Sequence, residues 1–253
     1  MAFRGQDQPA FLDLAAHPLR WRLLTELARG DYRVRELVAL VDQPQNLVSY
    51  HLRLLRAGGL VTAGRSSFDG RDSYYHLDLD RCAQALAAVG VALHPALRLD
   101  PEPAAPVAER KRPRTSVLFM CTGNSARSPI AEALLRHHTG GRVEVNSAGS
   151  HPKPAIHLGA VFALREDYGI EIGDQRPRHL DTVLGRRFDH VISLCDKVRE
   201  VGPEFPQEPH RVHWSIADPA TADGADRTGY PTFRRTAAEI DARLRYLLPT
   251  LDS

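Results

Sequence analysis

Apolar positions recur with helical spacing through the first part of the chain. Leu19, Leu23, Leu24 and Leu27 form one stripe, closed by Gly30. Val34, Leu37, Val38 and Val41 form a second, and Leu47, Val48, Leu52 and Leu55 a third that ends at Gly58-Gly59. Asp42-Gln43-Pro44 separates the last two as a tight turn, with proline suited to a first helical turn. The period then changes. Leu60 to Ala63 and Ser73 to Leu77 read as two strands joined by the polar loop 64–72, before a last helical stripe of Cys82, Leu86, Val89 and Leu93. From Asp100 to Arg114 the sequence DPEPAAPVAERKRPR offers no face that could pack. Its four prolines, small residues and cluster of Arg110, Lys111, Arg112 and Arg114 predict a linker. Beyond it, extended runs at 116–120, 143–146, 190–194 and 211–214 alternate with helical stretches near 129–138, 157–168 and 232–248. Such alternation predicts a parallel sheet covered by helices.

Composition narrows the setting. The 253 residues are 43% hydrophobic and 25% charged, as in an ordinary globular protein of two modest domains. No apolar run approaches membrane-spanning length, and His17, Arg20 and Arg22 interrupt the only apolar stretch near the start. A cytoplasmic protein with no membrane partner is therefore expected. Three cysteines, Cys82, Cys121 and Cys195, are too few for a disulfide scaffold, so each is either packing or reactive. Cys82, inside an apolar stripe, reads as packing. The net charge of +2 carries no global basic field. A local patch exists, because the segment from Gln43 to Phe68 holds three arginines and no acid.

Two short helices, a tight turn and a hairpin make a winged helix-turn-helix, expected over residues 1–99. Its second helix offers Gln45, Asn46, Ser49, Tyr50 and Arg53 for base edges and phosphates, with Arg65 from the hairpin beside them. The segment QPQNLVSYHLRLLRAGGLV, residues 43 to 61, resembles the recognition helix and wing entry of ArsR-type bacterial repressors. The resemblance implies a homodimer formed through this domain that binds a palindromic double-stranded DNA operator. It does not carry metalloid sensing with it. Arsenic-sensing members hold paired cysteines before the turn, where this chain reads Glu36, Leu37, Val38, Ala39, Leu40, Val41 and Asp42. A soft metalloid needs several thiolates.

The α/β domain, expected over 115–253 after the linker 100–114, opens on Cys121, Thr122, Gly123, Asn124, Ser125, Ala126, Arg127 and Ser128. This run lies between a predicted strand and a helix entered at Pro129. A small-residue loop feeding a helix N-terminus is an oxyanion cradle, since backbone amides and the helix dipole point at the anion. The same field favours a nucleophilic thiolate at Cys121. Arg127 suits a tetrahedral oxyanion, with two parallel hydrogen bonds that a lysine does not offer. Ser128 is placed to donate to the sulfur, and residues 122–126 supply the cradle. A departing oxygen needs a proton, and Asp218, after strand 211–214, is the candidate acid. Cys195 ends an apolar strand and is either core filler or a second reactive thiol.

CTGNSARSPIAEAL, VNSAGS, VISLCDKV and WSIADPA make residues 115 to 250 resemble the low-molecular-weight tyrosine phosphatases, and within them the arsenate reductase branch. The resemblance implies that Cys121 attacks arsenate, Arg127 binds the oxyanion and Asp218 acts as acid. It also implies that Cys195 resolves the cysteine-bound arsenic, releasing arsenite and leaving a disulfide. No bound cofactor or metal is implied, only an external thiol reductant. Thioredoxin-coupled members carry a third cysteine seven positions past the resolving one, where this chain has Gly202. A thioredoxin-type reductant would therefore act directly on the Cys121–Cys195 disulfide, or mycothiol or glutathione would resolve the adduct. Ala220 and Thr221 stand where the tyrosine phosphatases place aromatic residues. Some reductases bind potassium near the loop. Asn124, Glu132 and Ser147 match that site, but Arg178 stands where an acid is expected, so no ion is predicted. The expected function is a DNA-binding regulator fused to an arsenate reductase. A tyrosine phosphatase and a non-catalytic oxyanion-sensing repressor are the alternatives.

Overall fold

The computed structural model describes residues 10–68, 70–94, 97, 115–203, 205, 208–220 and 230–251. The expected linker 100–114 lies outside the described residues. The chain divides into two compact units, each with its own apolar core.

The N-terminal unit opens with α1 (Ala10–Ala15) and α2 (Pro18–Leu27). His17 caps α2, its Nδ1 accepting from the Leu19 amide at 3.2 Å, and Pro18 fills the first turn, where no amide donor is needed. A short strand β1 (Tyr32–Arg33) leads into α3 (Val34–Val41), whose start is fixed by the Glu36 carboxylate accepting from the Arg33 amide at 2.8 Å. Asp42 ends α3 in a left-handed conformation, φ 49°, which turns the chain into α4 (Gln45–Ala57). Strands β2 (Val61–Arg65) and β3 (Ser73–Leu77) follow as an antiparallel hairpin, and β1 pairs on the far side of β3, giving the order β1-β3-β2. Helix α5 (Leu79–Leu93) closes the unit, capped by Asp78 on the Arg81 amide at 2.9 Å.

Leu19, Leu23, Leu24, Leu27, Leu37, Val41, Val48, Leu52 and Leu55 are buried in one cluster, as their spacing requires. Leu47 is not: it is 37% exposed, because helical rotation places it at the rim of the face formed by Val48, Leu52 and Leu55, next to the exposed Tyr50. The first strand of the hairpin runs from Val61 to Arg65 instead of 60–63. The last stripe forms the helix its spacing predicts, but no residue of α5 is buried, and Leu86 and Leu93 are both exposed, Leu93 by 77%.

The C-terminal unit alternates strands and helices. Its elements are β4 (Ser116–Cys121), α6 (Arg127–Thr139), β5 (Glu144–Gly149), α7 (Leu158–Tyr168), β6 (His190–Ser193), α8 (Asp196–Val201), β7 (His210–His213) and α9 (Tyr230–Leu251). The sheet is parallel, in the order β5-β4-β6-β7. It holds the predicted strands, with β5 reaching Gly149 rather than stopping at Asn146. Near-continuous apolar strands, such as Val117, Leu118, Phe119 and Met120, are what a sheet covered on both faces demands. Helix α9 packs on α6 and α7, burying Phe233, Ala237, Ile240 and Leu244. The connection after β4 leads to β5 on one side, and the chain later returns to β6 on the other. A crevice therefore opens at the carboxyl end of β4, where Cys121 stands.

Candidate active site and DNA-facing surface

The loop from Cys121 to Ala126 joins β4 to α6 and is held from outside by the segment 150–157. The carbonyls of Cys121, Thr122, Gly123 and Ser125 accept from the amides of Ser150, His151, Lys153 and His157 at 2.8–3.3 Å. With trans peptides, the intervening N–H groups point away from that segment. Asn124 adopts a positive φ of 43°, the local twist that closes the loop. Gly149 lies so close that a Cβ there would meet the Thr122 carbonyl at 2.6 Å and the Asn124 amide at 2.8 Å. Only glycine lets β5 back the cradle at this distance.

Cys121 is 2% exposed and faces Ser128, with Sγ and Oγ 3.0 Å apart. Asn124 Nδ2 donates to Ser128 Oγ at 2.9 Å and to Ser147 Oγ at 2.8 Å. The Ser128 oxygen accepts from Asn124 and keeps its one proton available for the sulfur, where either atom could be the donor. Arg127, 4% exposed, enters at the first position of α6, so helix dipole and guanidinium share one side of the loop. Its Nη1 donates to the Ile216 carbonyl at 3.0 Å and its Nη2 to Asp218 Oδ2 at 2.7 Å. Its Nε is buried without a hydrogen-bond partner. A buried donor with no acceptor is costly, and an oxyanion in the cradle would satisfy it.

Cys195 follows β6 and is buried, with Sγ 3.4 Å from Thr122 Oγ1. Burial pushes its thiol above the ordinary range. The Arg127 guanidinium and the Thr122 hydroxyl oppose that push, and the neighbouring Cys121 reinforces it. Cys82, half-buried in the other unit, is pushed up to about 11, first by burial and then by Asp78. An inert packing thiol is expected to behave so.

The structure therefore gathers Cys121, Thr122, Gly123, Asn124, Ser125, Ala126, Arg127, Ser128, Cys195 and Asp218 at one sheet edge. Sequence reasoning assigned Thr122 only to the cradle; its reach to Cys195 depends on β4 and β6 being neighbours, which no local pattern encodes. Behind the loop, Arg178 donates its backbone N–H to Asn124 Oδ1 at 2.7 Å and its Nη2 to both oxygens of Glu132 at 3.0 and 3.3 Å. Among the described residues no group of three or more His, Cys, Asp or Glu side chains is placed to hold a metal ion. No described helix is long and apolar enough to cross a membrane.

On α4 the side chains of Gln45, Asn46, Tyr50 and Arg53 are exposed and Ser49 is half-exposed, on the side away from Val48, Leu52 and Leu55. The Arg53 guanidinium lies 5.7 Å from the centre of the Tyr50 ring. Arg65 ends β2, exposed, with Nη1 donating to the Gly70 carbonyl at 2.9 Å.

A parallel sheet whose central strand delivers a cysteine into a helix-capped loop, with arginine six positions on and an aspartate against it, is the arrangement of a phosphatase-type domain. The chain belongs to the low molecular weight phosphotyrosine protein phosphatase family, which it matches over residues 116–253. Residues 17–63 match the arsR family of bacterial regulatory proteins. An arsenate reductase of Halalkalibacterium halodurans is 37% identical over 134 residues, 53% of this chain and 95% of that protein. An arsenate reductase of Bacillus licheniformis is 34% identical over 137 residues, 54% of this chain and 97% of that protein. A solved arsenate reductase from Archaeoglobus fulgidus is 29% identical, covering 53% of this chain and 98% of that one at a TM-score of 0.44.

Proposed function

We propose that this chain is a bifunctional protein, a dimeric DNA-binding regulator over residues 1–99 joined by the segment 100–114 to a thiol-dependent arsenate reductase over 115–253. The observation that carries the reductase reading is the second thiol. Cys195 is tied to Thr122, the residue next to the nucleophile, at 3.4 Å. Hydrolysis of a phosphate ester has no use for a second sulfur, whereas reduction of arsenate needs two electrons and two thiols supply them.

In the proposed reaction the Cys121 thiolate attacks arsenic, and an arsenate oxygen departs as water with a proton from Asp218. Arg127 and the amides of residues 122–127 hold the remaining oxygens. Cys195 then attacks Cys121 Sγ. The sulfur–arsenic bond breaks with its electron pair going to arsenic, arsenite leaves, and the two sulfurs remain as a disulfide. An external dithiol returns two electrons to that disulfide. Gly202 stands where thioredoxin-coupled relatives of the resemblance hold a third cysteine, so either direct reduction by a thioredoxin-type protein or resolution by mycothiol or glutathione completes the cycle. Such reductants are cytoplasmic, and that is the proposed location.

For the N-terminal unit, the exposed Gln45, Asn46, Tyr50, Arg53 and Arg65, with the half-exposed Ser49, support insertion of α4 into the major groove of a double-stranded operator. The apolar but unburied helix α5 supports a homodimer through this unit. Turnover decides the enzymatic half. Cys121-dependent arsenite production with a thiol reductant is expected, with little hydrolysis of aryl phosphates. Rapid phosphotyrosine hydrolysis without arsenite production would replace this reading with the tyrosine phosphatase one.

A further inference from the structure

Glu132 lies one and a half turns into α6, directly behind the cradle, and is only 4% exposed. A buried carboxylate of this kind requires a cation. Two guanidinium groups supply it: Arg136 Nη2 at 2.6 Å, one helical turn on, and Arg178 Nη2 at 3.0 Å. Arg178 comes from a distant loop, and its backbone is also built into the site. Its amide donates to Asn124 Oδ1 at 2.7 Å, and its carbonyl accepts from the Gly149 amide at 2.9 Å. Gly149 also forms an isolated parallel bridge with His179. The loop carrying Arg178 thus extends the sheet behind β5 and meets the cradle at Asn124.

A dissolved monovalent cation does not fit here. Asn124 Oδ1 accepts from the Arg178 amide, Ser147 Oγ accepts from Asn124 Nδ2, and both Glu132 oxygens are engaged by guanidinium. A second positive charge beside Arg178 would be repelled. We propose that Arg178 is a positioning residue that serves as a tethered, internal cation. Its side chain neutralises Glu132, its backbone fixes Asn124, and Asn124 in turn orients Ser128 toward Cys121. The cradle is thereby preorganised without any ion from solution, an advantage of covalent tethering.

The inference concerns the same site as the proposed reductase, but its test needs no arsenate. The second-order rate of Cys121 alkylation by iodoacetamide, read by mass spectrometry on the full chain, is compared in potassium chloride and in choline chloride at equal ionic strength. Wild type is expected to react equally in both. Arg178→Ala should react about 5-fold or more slowly in choline, as expected when the charge-assisted hydrogen bonds that hold this loop to Glu132 are lost and its backbone grip on Asn124 loosens, and should recover part of that loss in potassium. Arg178→Lys should stay near wild type. An unchanged rate in Arg178→Ala, or a wild type that itself responds to potassium, overturns the proposal. Arg178→Gln gives the same comparison if the alanine variant does not fold, with an unchanged rate again contradicting it. Failure to reduce arsenate would refute the reductase reading while leaving this result intact.

Discussion

Arg127→Lys isolates the contribution of a forked cation to the site. In the structure the guanidinium serves three directions at once: Ile216 O at 3.0 Å, Asp218 Oδ2 at 2.7 Å, and the unpartnered Nε. An ammonium group keeps the charge but cannot offer two parallel donors to an oxyanion while also holding the segment 216–218. Each charge-assisted hydrogen bond contributes about 1.5–3 kcal/mol. Losing one such bond in the transition state corresponds to about a 10- to 150-fold fall in kcat/KM, at about 1.4 kcal/mol per factor of ten. Arg127→Ala removes both bonds and the charge, and should cost about 10³-fold or more on the same scale. The assay is steady-state arsenite production across arsenate concentrations, with phosphate as competitive inhibitor and thermal melting as a check on folding. A folded lysine variant within about 2-fold of wild type, less than one such hydrogen bond, would refute the assignment of Arg127 as oxyanion ligand.

Other expectations follow from the same geometry. Because burial raises the Cys195 thiol, the resolving attack should accelerate as pH rises above neutrality and thiolate accumulates. Stopped-flow arsenite release that is flat from pH 7 to about 9 would contradict this, since the thiolate fraction should rise there. Arg53→Ala should weaken operator and random DNA alike and reduce the salt slope of binding by about one unit per protomer, as loss of one phosphate contact requires. An unchanged slope would remove Arg53 from the interface. Leu86→Glu on the exposed face of α5 should convert a dimer to monomers in sedimentation, and a persistent dimer would place the interface elsewhere.

What the sequence disclosed divides along physical lines. The oxyanion loop was legible because its chemistry is local: Cys121 and Arg127 are set by one strand-to-helix turn, and small residues between them leave room for the anion. The parallel sheet was legible from alternating apolar runs. The pairing of Arg127 with Asp218 spans ninety-one positions and depended on reading Asp218 as the residue beyond the last strand. Arg178 showed the limit. Its identity was visible, but its salt bridge with Glu132 and its hold on Asn124 arise only where the loop after α7 returns beside β5. Leu47 failed for a different reason, since an apolar side chain one position from a buried stripe is turned about 100° from it, to the rim of the buried face. The stripe of α5 formed its helix yet stays uncovered, because spacing reveals an apolar face without revealing which chain will cover it.

The most direct test of the central claim is a single turnover without external reductant. Fully reduced protein mixed with excess arsenate should release about one arsenite per chain, as two thiolates per arsenic require, and yield one linked peptide joining Cys121 to Cys195 while Cys82 stays reduced. Arsenite release with Cys195 still a free thiol, or no arsenite at all from protein whose Cys121 remains alkylatable, would contradict the account.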